Sequence, residues 1–433
     1  MFSLWKDLVR IDAIPAEDHV LAMAHSLAHI EKVRNTIYSD KTVKGKEVEL
    51  KKGENTSRFA PDTYENKYTA QSAYLAAGGA VEAIRALCQK QDDSGCLVMG
   101  GQQGPGSYGH LDSVFAIVRP PGHHAHCSGV GGFCFFNNVA AAARVAQKEF
   151  GKRKVCIFDW DVHVGDGTSN VFYNDDTVLY ISIHRYDLGK FFPGPKGKLE
   201  MIGEGAGKGY NIQFPFNLPK KKNGAANEPE DEGQLIGDSD YIFACETFFF
   251  PIIREFAPDL IIISAGFDSA KGDPLGGIAV SPVGYAWMTQ GLRKIQNCLA
   301  VVLEGGYSLE ALEVSTEAVV KVLKANPNDE AAFQKIVEEY GAVEGKNTYQ
   351  SLAQDSLLYP RYSFRMTISN LSKLIKKQWG KIVEQLIFEK PRRKSSNTKS
   401  EKSSNSDGKP HPSFGSFRDR LNSMDDIVGA PVV

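Results

Sequence analysis

Residues 155–166 read VCIFDWDVHVGD, a short apolar run followed by three acidic residues and a histidine. A continuous apolar run of this length is typical of a strand that is buried on both faces, as in a parallel sheet. Because side chains alternate along an extended segment, we expect Asp159, Asp161 and His163 to point to one side. The stretch predicts a group of polar side chains at the end of a buried strand.

Four other segments repeat this pattern, each a short apolar run that ends in polar or glycine-rich residues. They are 114–118 before RPPG, 178–183 before HRYD, 260–264 before AGFD, and 300–303 before EGGY. Helical patterns at 137–150 and 244–256 lie between several of these runs. Alternating strands and helices predict an open, mostly parallel α/β sheet flanked by helices. In such sheets, ligands bind beyond the carboxyl ends of the strands.

The rest of the chain predicts one folded domain, residues 1–389, with its motif core at 114–323. Two further helices are predicted at 16–34 and 68–87. Within the domain, 41–59 is polar and lysine-rich and predicts a surface loop, and 219–235 predicts a surface insertion. Near the end of the domain, apolar residues at helical spacing predict a final helix that docks on the domain or, alternatively, binds a partner. These residues are Leu371, Leu374, Ile375, Ile382, Val383 and Leu386. The basic, serine-rich residues 390–433 predict a disordered tail.

Composition limits the class of protein. The net charge of −2 gives no overall attraction to nucleic acid or membrane, and 42% hydrophobic residues allow a large core. Seven cysteines without CxxC pairs predict reduced, buried thiols rather than disulfides or cysteine-bound zinc. The charged N-terminus and the lack of a run of about 18 apolar residues predict neither a signal peptide nor a membrane span. We therefore expect an intracellular protein of the nucleus or cytoplasm, or both, that is not secreted.

Three of the polar residues could hold a metal ion. Buried carboxylates are costly unless they are paired or bind a metal. Asp161 and His163 can ligate the same ion, and Asp268 ends a second apolar run in the same way. Two carboxylates and one imidazole leave a coordination position for water, as in catalytic zinc sites, although other divalent metals accept these ligands. The alternative is that the aspartates cap helices and that the histidine is hydrogen-bonded within the core.

The histidine pair in RPPGHHA and the tyrosine in EGGY could complete a hydrolytic site. Pro-Pro-Gly predicts a rigid turn, so His123 and His124 would be held firmly and could exchange protons with water and a leaving group. Asp159 and Asp166 could each orient one imidazole through its far nitrogen. Tyr307 could donate a hydrogen bond to a substrate carbonyl. Alone, the histidine pair would as often be part of a metal site or a surface feature, and the tyrosine a packing residue.

Taken in order, five motifs resemble the zinc-dependent histone deacetylases of the class II type, in the arginase–deacetylase superfamily. The motifs are RPPGHHA, GFCFFNN, DWDVH, SAGFD with GDPLGG, and LEGGY. The resemblance runs from about residue 14 to residue 323 and implies the arginase–deacetylase fold, an open α/β sheet. It implies a hydrolase that removes acetyl groups from lysine in histones or other proteins.

The resemblance also implies a role for each matching residue. The zinc ligands would be Asp161, His163 and Asp268. The general base and acid would be His124, with His123 as its electrostatic partner and Tyr307 polarising the acetyl carbonyl. The substrate would contact the carbonyl of Gly132, the aromatic walls Phe133 and Phe192, and the rim residues Pro274 and Leu275. A monovalent-cation site, usually for K⁺, would include Asp159, Asp161, His163, Ser182 and Ile183. On their own, the two phenylalanines would be interpreted as core residues.

The chain departs from the family pattern in two places. Val164 stands where the family usually has a second histidine, a position that is not a metal ligand. The family's N-terminal strand and its His-Pro-Glu segment have no counterpart, which predicts an incomplete sheet edge and rim. Tyr307, in contrast, is the residue of active members rather than the histidine of weakly active ones.

Three functions are compatible with these features. The first is a protein-lysine deacetylase, whose partners would be acetylated histone tails or cytosolic proteins and a corepressor complex, without direct contact to nucleic acid. The second is an acetylpolyamine deacetylase, which the neutral Leu275 opposes because those enzymes tend to have an acidic rim residue. The third is a catalytically weak scaffold that binds acetyl-lysine or corepressors. The basic segment 390–396, KPRRKSS, could be a nuclear import signal, a phosphorylation site, or simply part of a solvated tail.

Overall fold

The computed structural model describes residues 6, 8–36, 60, 62–89, 111–218, 235–341 and 361–385. All of them belong to one compact unit, Met1–Leu386; a second unit, Ile387–Val433, lies outside the described residues. The predicted loop 41–59, the tail 390–433 and, except for Leu235, the insertion 219–235 also lie outside them.

The described chain contains a six-stranded sheet in the order β1-β6-β5-β2-β3-β4. Its strands are β1 Ser113–Ala116, β2 Val155–Asp159, β3 Val178–Arg185, β4 Asn211–Phe216, β5 Leu260–Ala265 and β6 Leu299–Leu303. Every pair of neighbours is parallel. The predicted open α/β sheet is therefore confirmed, and each of the five predicted strands is present.

The apolar runs are continuous because the side chains of a central strand pack into two cores, one on each face of the sheet. In β2, Cys156 and Phe158 belong to the core on one face of the sheet, whereas Val155 and Ile157 belong to the core on the other. All five residues of β2 are buried. Burial on both faces removes the alternation of apolar and polar residues that a half-exposed strand would show.

The sequence did not predict β4, because its pattern is broken by polar residues and a proline. Asn211 and Gln213 are fully buried, but their side chains are hydrogen-bonded to each other and to Ser169 on a neighbouring helix. Pro215 is tolerated because β4 is an edge strand of the described sheet, where a missing N–H leaves no gap in a ladder.

Helices cover both faces of the sheet. They are α1 Asp18–Leu21, α2 Leu27–Arg34, α3 Thr69–Cys88, α4 Asn138–Phe150, α5 Asp166–Val171, α6 Asp238–Ala244, α7 Phe250–Phe256, α8 Pro282–Ile295, α9 Leu309–Lys324, α10 Glu330–Gly341 and α11 Tyr362–Gln385. A π-helical turn, Cys245–Phe249, joins α6 to α7. None of these described helices is both long and apolar enough to cross a membrane.

Three local expectations need correction or refinement. The single helix predicted at 16–34 is wrong: α1 and α2 are separate, and Ser26 starts α2 by accepting a hydrogen bond from the backbone of His29. The docked final helix is confirmed, since Leu371, Ile375, Ile382 and Val383 are buried, but Leu374 is 36% exposed and Leu386 lies outside the described residues. The six described cysteines are free, as predicted, yet Cys127 is exposed rather than buried.

Candidate active site

Asp161, His163 and Asp268 meet in a buried group beyond the carboxyl ends of β2 and β5. One ligand atom from each of the three lies within 4.8 Å of the others. Nδ1 of His163 is the nitrogen that faces the carboxylates, at 3.1 Å from Asp161 Oδ1 and 2.9 Å from Asp268 Oδ2. The ring of His163 stacks on Phe191, with centroids 4.9 Å apart, which fixes its orientation.

The backbone reaches this arrangement by turns rather than by the predicted extended segment. β2 ends at Asp159, whose Oδ1 accepts a hydrogen bond from the backbone of Asp161, and Asp161 Oδ1 does the same for His163. Aspartate commonly forms such side-chain-to-backbone turns. The side chains do converge, as expected, but the expected reason is wrong: turns bring them together, not the alternation of side chains along a strand.

The donor set fits a divalent cation. Burial alone would lower the pKa of His163, but hydrogen bonds to Asp161 and Asp268 raise it to about 9. Burial and the neighbouring Asp161 raise the pKa of Asp268 to about 7. The group therefore favours a positive charge between its two carboxylates. A metal ion with two oxygen ligands and one nitrogen ligand supplies that charge and leaves a position for water, as in catalytic zinc sites.

The backbone leaves room for these carboxylates. A Cβ at Gly305, just after β6, would lie 2.6 Å from Asp268 Oδ2 and 2.7 Å from Asp161 Oδ2. The Gly305 N–H instead donates to Asp161 Oδ2 at 3.0 Å, and the Val162 N–H donates to Asp268 Oδ1 at 2.8 Å. Backbone donors thus orient both carboxylates.

The two histidines predicted to move protons are each paired with one of the two predicted aspartates. His124 Nδ1 lies 2.7 Å from Asp166 Oδ1, and His123 Nδ1 lies 3.1 Å from Asp159 Oδ2. Because an ionised carboxylate can only accept, Nδ1 must donate in both pairs. A neutral His124 therefore has an unprotonated Nε2, which is the nitrogen that can take a proton.

The environments of the two imidazoles push their pKa values in opposite directions. Burial and the neighbouring His123 lower the pKa of His124 to about 4. Burial would also lower the pKa of His123, but the carboxylates of Asp161 and Asp159 outweigh it and raise the pKa well above its ordinary value. A neutral imidazole next to a cationic one suits a base beside an electrostatic partner.

Sequence reasoning did not identify Glu304, which holds the histidine turn in place. Glu304 Oε2 accepts hydrogen bonds from the backbone of Gly122 at 2.7 Å and of His123 at 3.0 Å, and Ser264 donates to Oε1. Burial is the main cause that raises the pKa of Glu304 to about 7. An acidic residue directly after the apolar run of β6 was the available signal.

Two phenylalanines stand at the surface above His124 and His163. Phe133 is 37% exposed and Phe192 is 38% exposed, so neither is a core residue. The Phe192 ring centroid lies 5.1 Å from that of His124, and the Phe133 centroid lies 6.2 Å from that of Tyr307. The two rings thus border the approach to the histidines and the tyrosine.

The turn before Phe133 requires glycine at position 132. Gly132 has φ +51°, and a Cβ there would lie 2.1 Å from Cδ2 of His124. Asp62 Oδ2 accepts from the Gly132 N–H at 3.0 Å, and Thr63 Oγ1 accepts from the Phe133 N–H at 3.2 Å. Sequence reasoning missed both partners, because they lie about 70 residues earlier in the chain.

Asp273 connects the predicted rim to Tyr307. Its Oδ2 accepts from the Tyr307 N–H at 2.7 Å, and its Oδ1 accepts from the Leu275 N–H at 2.8 Å. Pro274 and Leu275 are exposed, as a rim requires. Burial, followed by Asp268, raises the pKa of the Tyr307 hydroxyl, which therefore stays protonated and able to donate.

The remaining predicted positions lie on the neighbouring strands β2 and β3. Asp159 and Ser182 are register partners in these neighbouring strands, and Ile183 follows, fully buried. Val164 is also buried and lies beside Gly197, where a Cβ would be 2.8 Å from Val164 Cγ2. The valine thus fills space below the loop after β3.

A buried histidine, His25, forms hydrogen bonds with the loop from His124 to Asn137 near both of its ends. Its Nδ1 lies 3.0 Å from the carbonyl of His126, and its Nε2 accepts from the Asn137 N–H at 2.9 Å. Burial, followed by the neighbouring His29, lowers the pKa of His25 to about 4. The folded protein therefore keeps this imidazole neutral at a pH where the unfolded chain is protonated.

Folding stability should for this reason fall as the pH is lowered. The unfolded chain binds a proton on His25 near the ordinary pKa of 6.5, whereas the folded chain does not until about 4. Between pH 6.5 and 5 this group should lower the free energy of unfolding by about 2 kcal/mol. Urea unfolding of wild type and of His25→Gln at both pH values measures this change in the free energy of unfolding. Glutamine is a suitable replacement because it can donate and accept hydrogen bonds but does not titrate. Equal losses in the two proteins would contradict the assignment.

Comparisons with known proteins agree with this geometry. A sequence profile of the histone deacetylase domain matches residues 1–323. Histone deacetylase 15 of Arabidopsis thaliana is 44% identical over 276 residues, 63% of this chain and 44% of that protein. Histone deacetylase HDA1 of Candida albicans is 36% identical over 350 residues, 78% of this chain and 37% of that protein.

A solved structure extends the likeness to the fold. The crystal structure of the HDA15 HD domain matches with a TM-score of 0.65 and 33% identity, covering 86% of this chain and 83% of that one. The chain spans about two fifths of the length of the curated relatives it matches. With the profile, the relatives and the fold in agreement, the chain belongs to the histone deacetylase family, class II type.

Proposed function

We propose that this protein is a zinc-dependent deacetylase of acetylated lysine in proteins. The observation that carries the proposal is the buried Asp161–His163–Asp268 group next to the Asp166-oriented imidazole of His124. The reaction would be hydrolysis: water adds to the acetyl carbonyl, the C–N bond breaks, and lysine and acetate are released. Zn²⁺ held by the three residues would supply Lewis-acid chemistry.

The histidine pair would carry the proton chemistry. His124 would take a proton from water through Nε2 and return it to the lysine amine as the C–N bond breaks, while Asp166 holds its Nδ1–H. His123, kept cationic by the carboxylates of Asp159 and Asp161, would stabilise the negative charge that develops on the carbonyl oxygen. The Tyr307 hydroxyl would donate a hydrogen bond to the same oxygen.

The substrate would bind to the residues that surround the entrance to the site. Phe133 and Phe192 would pack against the lysine methylenes, and the carbonyl of Gly132 would accept the amide hydrogen of the substrate. Leu275 at the rim is apolar and exposed, which suits a lysine within a protein better than a cationic polyamine. The acetylpolyamine reading is therefore not favoured. Nor is the scaffold reading, because the metal group and Tyr307 are intact.

Further parts of the proposal concern what surrounds the site. We infer that a monovalent cation, K⁺, binds near Asp159, Ser182 and Ile183, supported by the register that places Asp159, the last residue of β2, beside Ser182 of β3. Residues 1–389 would form the catalytic domain. In the nucleus, the cytoplasm or both, acetylated histone tails or cytosolic proteins would be substrates. A role in chromatin regulation and transcription repression would involve a corepressor complex.

One assay tests the proposed function. Purified protein is given an acetyl-lysine peptide or an N-acetylated polyamine, each with and without a zinc chelator, and released acetate is measured. We expect turnover of the peptide, loss of that turnover in chelator, and recovery when zinc is restored. Activity on the polyamine alone would favour the acetylpolyamine function. No chelator-sensitive turnover of either substrate would contradict a deacetylase.

A further inference from the structure

The carboxylate that orients His124 is shared with two other side chains. Asp166 uses Oδ1 for His124, and its Oδ2 lies 2.6 Å from His126 Nε2 and 2.5 Å from Lys196 Nζ. Asp166 is buried, whereas the side chain of Lys196 is 45% exposed. One carboxylate therefore joins a buried imidazole to a surface cation.

The chemistry of these groups settles which atoms donate. Burial would raise the pKa of Asp166, but hydrogen bonds from His124 and His126 outweigh it and hold the pKa well below its usual range. An ionised carboxylate only accepts, so His126 must donate through Nε2–H. Nε2 of His126 also lies 3.4 Å from Lys196 Nζ, so the two side chains meet at the same carboxylate oxygen.

The carboxylate and its three donors come from three separate segments, and the donors themselves come from two of them. His124 and His126 lie on the loop after β1, Asp166 begins α5, and Lys196 lies on the loop after β3, four residues beyond Phe192. A carboxylate held by a single imidazole can rotate about its side-chain bonds. Donors that approach from different segments remove that freedom and fix the position of Oδ1.

We propose that Lys196 and His126 are positioning residues that lock the Asp166 carboxylate and thereby hold His124 in its Nδ1-protonated, proton-accepting orientation. This rests on the proposed function only for its effect on turnover; the orientation itself can be measured without it. The two residues act through Asp166 and do not touch the reacting atoms.

Kinetics give the first test. Lys196→Met should lower kcat on an acetyl-lysine peptide about tenfold and change KM less than twofold, because a charge-assisted hydrogen bond to the carboxylate is lost. Lys196→Arg keeps the charge and the donors and should restore kcat to within about twofold. Lys198→Met removes an exposed lysine two residues further along the same loop and should match wild type.

A double variant tests whether both donors act through one oxygen. With His126→Ala added to Lys196→Met, Oδ2 loses both donors, so the loss of kcat should exceed the product of the two single losses by at least about threefold. His126→Gln, whose amide can still donate, should cost less than His126→Ala. Losses that simply multiply, or an effect on KM alone, would overturn the proposal; the latter would show that Lys196 only holds the loop that carries Phe192.

Nitrogen-15 NMR of the imidazoles tests the orientation without turnover. In wild type, His124 should be protonated on Nδ1 and His126 on Nε2, and the Lys196→Met/His126→Ala variant should show a mixture of tautomers at His124. A single unchanged His124 tautomer in that variant would refute the proposal even if the enzyme is active. If wild type fails to hydrolyse the peptide but shows the expected tautomers, the proposed function fails and the positioning inference stands.

Discussion

Asp268→Ala is expected to abolish zinc binding and to lower peptide turnover by at least about a thousandfold. The variant removes one of the three proposed ligands. Asp161 and His163 keep the hydrogen bond between them but lose the second carboxylate. The Val162 N–H also loses its acceptor, so the turn that carries the other two ligands loses support. Zinc content by elemental analysis and acetate release from the peptide are the two measurements.

The control separates loss of metal from loss of fold. Asp176→Ala removes an exposed aspartate and should keep both zinc and activity. Circular dichroism and thermal unfolding in chelator compare the apo forms of wild type and Asp268→Ala, which should both remain folded. Stoichiometric zinc or wild-type turnover in folded Asp268→Ala would refute the metal assignment.

His124→Ala should lower kcat about a thousandfold while leaving zinc bound, which distinguishes it from Asp268→Ala. The variant removes the imidazole whose Nε2 is free to accept a proton, and it leaves Asp161, His163 and Asp268 unchanged. Its zinc content should therefore equal that of wild type. Added imidazole should restore part of the turnover, because the vacated space adjoins the metal group.

A second histidine provides the control for this variant. His19→Ala removes an exposed imidazole from α1 and should match wild type in kcat and zinc content. His123→Ala serves as a comparison within the pair, since His123 is assigned an electrostatic role. If His124→Ala retains more than a tenth of wild-type turnover, His124 is not the base.

The central sheet and the convergence of the polar strand ends could be predicted because both follow from local patterns. An apolar run buried on two faces is visible in a few residues, and parallel strands place their carboxyl ends at one edge. Asp161 and Asp268 were therefore recognisable from their positions after β2 and β5. The roles assigned to individual site residues stay predictions until the variants above are measured.

What the sequence did not reveal depends on contacts between distant segments. Asp62 and Thr63 hold the Gly132–Phe133 turn across about 70 residues, and Glu304 holds the His123 backbone across 181. Each is a polar residue whose partner is a backbone N–H, which carries no sequence signal. β4 was missed for a related reason, because the side chains of Asn211 and Gln213 form hydrogen bonds with Ser169, which lies outside the strand.

The strand order has a consequence for how the protein is made. β2 and β5 are neighbours in the sheet, yet two of the proposed zinc ligands that follow them, His163 and Asp268, are 105 residues apart in the chain. During synthesis, a nascent chain that has emerged only as far as α5 holds two of the three ligands and cannot enclose an ion. Capture of the metal must await the pairing of β5 with β2, a late, non-local event of the kind that slows folding. Zinc uptake during translation would therefore report the moment at which the two halves of the sheet join.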